Sequence, residues 1–114
     1  MSPARHKREF PAEFARAGEA RHFISWAGAV SGLRGGSLSD LAVAADAILT
    51  NIFLSGESGS LEIESKATGE AVRITVRHAE LGGRRMAGLE DIMEQYLDGH
   101  EISPNKAVLV KRLK

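Results

Sequence analysis

Between Leu61 and Arg77 apolar and polar side chains alternate, and on either side of that stretch they do not. Leu61 and Ile63 alternate with Glu62 and Glu64, and Val72, Ile74 and Val76 alternate with Arg73, Thr75 and Arg77. Period two with a polar outer side is the pattern of half-buried strands. Thr68-Gly69 between the two runs predicts an antiparallel hairpin, with Glu and Arg rows able to pair across it.

The flanking segments follow a helical period instead. Ala20, Phe23, Ile24, Ala27 and Val30 mark one apolar helical side, with Gly32 as its stop. Ser37 with Asp40 forms a capping-box-like start for a second helix, whose apolar side is Leu41, Ala44, Ala45, Ile48 and Ile52 and whose end falls near Leu54. Met86, Leu89, Ile92, Met93, Tyr96 and Leu97 define a third helix, closed by Gly99. Arg5 to Phe10 reads as a first strand ending near Pro11. His100 to Ser103 and Lys106 to Leu113 read as two last strands around a Pro104-Asn105 turn. The order β-α-α-β-β-α-β-β predicts an α+β fold, a two-layer sandwich of three helices on a mixed, mostly antiparallel sheet.

One domain accounts for all 114 residues, enough to bury a core without staples. With no cysteine, disulfides, thiolate catalysis and cysteine zinc sites are excluded. His6, His22, His78 and His100 show no ligand spacing, so no zinc site is expected. Formal charge is +0, which gives no chain-wide pull toward nucleic acid or membrane. The polar, basic Met1 to Glu9 has no apolar run behind it, and no stretch approaches membrane-spanning length. The expectation is a cytoplasmic protein with neither partner class. Trp26 reads as a core or interface residue, and Lys106, Lys111, Arg112 and Lys114 as a solvated basic strand opposite an acidic third helix.

Three segments carry a family resemblance. Asp40 to Gly56, containing Asn51, resembles the N-box helix of the histidine-kinase-type (GHKL) ATPases. Ile74 to Gly82 stands where that family has a strand ending in D-x-G-x-G. Ala87-Gly88-Leu89 resembles the end of its second glycine box. In order and spacing the match runs from about Pro11 to Leu113, and it is nearest to the switch-protein serine kinases and anti-sigma factors of bacterial partner switching and stress response. The resemblance implies a Bergerat-type fold with a shortened ATP lid. It places nucleotide contacts at Asn51, His78, Gly82, Gly88 and Leu89, with magnesium on Asn51 if ATP binds. It places partner contacts at Phe53, Leu54, Arg84, Arg85 and Met86.

The same motifs are eroded. The N-box Glu falls on Ala47, which has no proton acceptor, and Asp46 lies about 100° away around the helix. His78 replaces the adenine-reading Asp, Glu80 replaces a glycine, and Met86 replaces another. Phosphoryl transfer depends on metal, base and donors positioned together. The resemblance therefore implies a regulatory module that binds a STAS-domain antagonist, a phosphatase or a sigma factor, with no catalytic residue assigned. An active ATP-dependent serine kinase and a homodimerising structural subunit are the alternatives.

Overall fold

The structure, a computed structural model, describes residues 4–54, 59–78 and 86–113. Strand β1 (Ala4–Pro11) leads through a short 3-10 turn (Phe14–Arg16) into α1 (Ala17–Val30) and α2 (Gly35–Leu54). Then come the hairpin β2 (Ser60–Ala67) and β3 (Ala71–Arg77), helix α3 (Met86–Tyr96), and a second hairpin, β4 (Gly99–Ser103) and β5 (Lys106–Arg112). The five strands lie in the order β1-β2-β3-β5-β4. Every neighbouring pair is antiparallel, so the expected mixed sheet is corrected. The reason is topological: β3 and β4 run in the same direction, but β5 returns from β4 and slots between them.

Alternation decides which side of the sheet the helices cover. Leu61, Ile63, Val72, Ile74, Val76, Ala107 and Leu109 all point to one side and are buried. They form one core with Phe23, Ile24, Leu41, Ile48, Leu49 and Met93 from the helices. Thr68 shapes the β2–β3 turn, its hydroxyl accepting from the N–H groups of Glu70 and Ala71 at 3.1 and 3.2 Å. Helices α1 and α2 approach closely because Gly28 has no side chain. A Cβ there would lie 3.1 Å from both Leu38 and Leu41.

Local signals were mostly sound, with four corrections. Gly32 does end α1: its φ of 116° lets Leu33 N–H donate to Gly28 O at 3.0 Å and Gly32 N–H to Ala29 O at 3.1 Å. Helix α2, however, starts at Gly35, so Ser37 sits inside its first turn rather than capping it. Gly99 does not cap α3; it pairs with Val110 as the first residue of β4, and the helix closes with Leu97 N–H on Met93 O. Val30 is exposed, since ten residues beyond Ala20 it lies about 80° from Ala20, outside the apolar arc. Lys111 is no solvated cation. Its ammonium donates to Tyr96 O at 2.8 Å and Asp40 Oδ2 at 3.3 Å, tying β5 to both α2 and α3.

Candidate functional site

The motif-bearing segments follow one another along the chain at the end of α2, the end of β3 and the start of α3. Five residues join the end of α2 to β2, and β2 pairs with β3 so that Glu62 stands opposite Arg77. The end of β3 leads back to α3. The end of β3 meets the β4–β5 turn. There His78 N–H donates to Asn105 O at 3.1 Å.

Within those segments, the expected residues have different fates. Asn51 lies in the last turn of α2, partly buried, with Ile52 beside it in the core. His78 is buried, 3% exposed, at the end of β3. It continues the alternation Val72, Ile74, Val76, so its ring lies on the helix-covered side. Gly88 is exposed in the first turn of α3, with open space where a side chain would be, while Leu89 is buried and packs in the core. Phe53 and Leu54 end α2 and Met86 begins α3, but their side chains lie outside the described part. Gly82, Arg84 and Arg85 lie outside it altogether, as does Glu80.

The described residues do not fit a magnesium–nucleotide site of the kinase type. Ala47 is partly buried against the core and offers no acceptor. Asp46, the nearest carboxylate on α2, faces α1 instead and takes an ion pair from Arg21 at 3.1 Å. Among the described residues no group of three or more His, Asp or Glu is placed to hold a metal ion. Asn51 stands without the acidic partner that two-point metal chelation next to a base requires. No chemical step through ATP follows from this arrangement.

The open side of the sheet is the charged one. Arg5 pairs with Glu64, Lys7 with Glu62 at 3.0 Å, and Arg77 with Glu62 at 4.0 Å. Burial pushes the Glu64 carboxyl up, but the Arg5 hydrogen bond and the charges of Arg5, Lys7 and Lys66 outweigh it and hold the group below its ordinary value. Glu62 does pair across the hairpin as its sequence pattern implied. Glu64 instead turns to β1, because Thr75 is its direct neighbour on β3.

A second polar region went unnoticed in the sequence. Edge strand β1 and helix α1 enclose a groove lined by His6, Lys7, Arg8, His22, Phe23 and Trp26. Trp26 is 43% exposed, so it closes no core. The available signals were the basic run Arg5 to Arg8 and the four-residue spacing of His22 and Trp26, which puts both on one helical side.

No family model matches the chain, and no curated protein matches it. Among the described residues no helix is long and apolar enough to cross a membrane.

Proposed function

We propose that this chain is a regulatory protein of the partner-switching type, built on a Bergerat-type fold and acting by protein–protein binding, with nucleotide binding and kinase activity weakened or lost. One observation carries the reading. The chain has the element order that the resemblance implies, while on α2 Ala47 packs against the core and Asp46 is ion-paired to Arg21, so neither supplies a base. What such a domain retains is its surface. The partner-binding positions are Phe53, Leu54, Arg84, Arg85 and Met86, where arginines beside apolar anchors have the composition of an interface hot spot. The partner is a STAS-domain antagonist, a phosphatase or a sigma factor.

The test is affinity capture from the native host, with and without ATP, using the wild type and an Arg84→Ala, Arg85→Ala double variant. Recovery of one of these three partner classes, independent of ATP and weakened at least about tenfold in the double variant (about 1.4 kcal/mol), is the expected result. A partner phosphorylated in an ATP-dependent way would instead establish the active kinase. Equal recovery by both proteins would put the interface elsewhere.

A further inference from the structure

We propose that the β1–α1 groove and the open sheet side beside it bind single-stranded nucleic acid, with a base stacked on Trp26 and the sugar–phosphate backbone tracked by Arg5, Lys66 and Arg73. This site is separate from the motif segments and does not rest on the partner-switching reading.

The groove combines the two features that sequence-tolerant strand binding needs, an exposed aromatic surface and a cluster of cations, of which Arg5 and Lys7 also pair with Glu64 and Glu62 on the open side. Trp26 offers the ring, held by an edge contact from His6 at 4.8 Å between centroids and by Phe23 at 6.0 Å. Arg8 has no ion-pair partner among the described residues. Its guanidinium rests 4.7 Å above the Phe10 ring, leaving its charge unneutralised beside the tryptophan. Among the described residues no acidic one lines the groove. A chain-wide charge of zero bounds only the average field, and here the local balance departs from it.

The second observation is independent of the first. Strand register sets Arg5 directly opposite Lys66, and Lys66 directly opposite Arg73. Like charges directly opposite each other destabilise a sheet. This row puts three in line across β1, β2 and β3, at a strand spacing of about 4.8 Å. Of the three, only Arg5 has an ion-pair partner among the described residues. The row begins at the groove, where Arg5 is itself a lining residue, and continues into a shallow trough where Lys66 and Arg73 are joined by Arg77 and Lys106, four cations against the single acid Glu64. A polyanion laid along that row relieves the repulsion that the fold leaves standing. Among the described residues the open side presents no exposed aromatic or large apolar anchor of the kind that dominates protein interfaces. That favours a phosphate backbone over an acidic protein.

Trp26 is the only tryptophan in the chain, so its own emission reports stacking. The experiment titrates the protein with a mixed-sequence single-stranded oligonucleotide of about 15 nucleotides, at about 50 and 200 mM salt. Adenosine monophosphate and poly-glutamate serve as the other ligands. Quenching by the oligonucleotide, weakened about tenfold or more at the higher salt, is the expected result. Lys66→Glu with Arg73→Glu, two exposed positions, should lower that affinity at least about tenfold without changing the melting temperature. Trp26→Ala, read by polarisation of a labelled oligonucleotide, should lower it similarly, and Trp26→Phe should recover part of the loss. Four outcomes overturn the proposal. One is no oligonucleotide binding at low salt. Another is monophosphate binding equally well and insensitive to the double charge reversal, which would mark a small-nucleotide pocket. Equal binding of poly-glutamate would point to an acidic protein. A dimer abolished by Trp26→Ala, with no oligonucleotide bound, would make the edge a self-association surface.

Discussion

The two sides of the same five-stranded sheet obey different rules. On the helix-covered side Leu61, Ile63, Val72, Ile74, Val76 and Leu109 are fully excluded from solvent. On the open side Arg5, Lys66 and Arg73 stand in line despite their mutual repulsion. Burial fixes the first side, because any polar group there must find a partner or lose its hydration. Solvent forgives the second, where like charges directly opposite shift stability by no more than about 1 kcal/mol. The covered side therefore specifies the fold, and the open side is free to carry function.

Four substitutions probe this contrast, in descending order of effect. Ile74→Ala, in the centre of β3, should destabilise by about 2–5 kcal/mol, because a buried isoleucine leaves a cavity that a packed core fills only in part. Chemical denaturation measures it, and a change below about 0.5 kcal/mol would break the contrast. Lys111→Ala should cost about 1.5–3 kcal/mol, as the ammonium on the covered side bonds Tyr96 O and Asp40. The same change at the exposed Arg112, in the next position, should be near neutral. Lys66→Glu should do the opposite and stabilise by about 0.2–1 kcal/mol, since it turns a row of three cations into an alternating one.

The smallest effect belongs to Glu64. Its carboxyl is held below the ordinary value in the folded protein. The stability it contributes is therefore present above the unfolded carboxyl's pKa, about 4.3, and is lost as pH falls through the lower folded value. Glu64→Gln should narrow the gap between neutral and acid stability, while the two proteins converge at strongly acid pH. Parallel melting-temperature curves for both proteins from neutral to acid pH would show that the Arg5 pair contributes nothing.

Much of the fold was legible because period alone assigns each side chain to a face. The alternation from Leu61 to Val76 gave both strands and their buried side, and the spacing of Leu41, Ala44, Ala45, Ile48 and Ile52 gave that of α2. Boundaries set by backbone geometry were less legible. Ser37 had the chemistry of a cap, but two glycines before it let the helix begin earlier. Gly99 looked like a helix stop, but pairing with Val110 drew it into a strand. Lys111 read as solvated because strand parity alone does not show that two helix ends will converge on its ammonium. The same limit hid the burial of His78 and the exposure of Trp26. Ile92, expected to face the sheet beside Leu89, is only half-buried, and Met93 holds the centre of that contact. Of the candidate site, the motif order named the segments to look at. It did not show that Asp46 turns away toward Arg21, a contact between residues 25 apart.

The central proposal is that this chain has a kinase-like arrangement without a working nucleotide site. Isothermal titration of the wild-type protein with magnesium–ATP tests it most directly. The account predicts a dissociation constant weaker than about 1 mM, near –4.1 kcal/mol, and no rise in melting temperature at lower ATP concentrations. A micromolar constant with a matching thermal shift would contradict it.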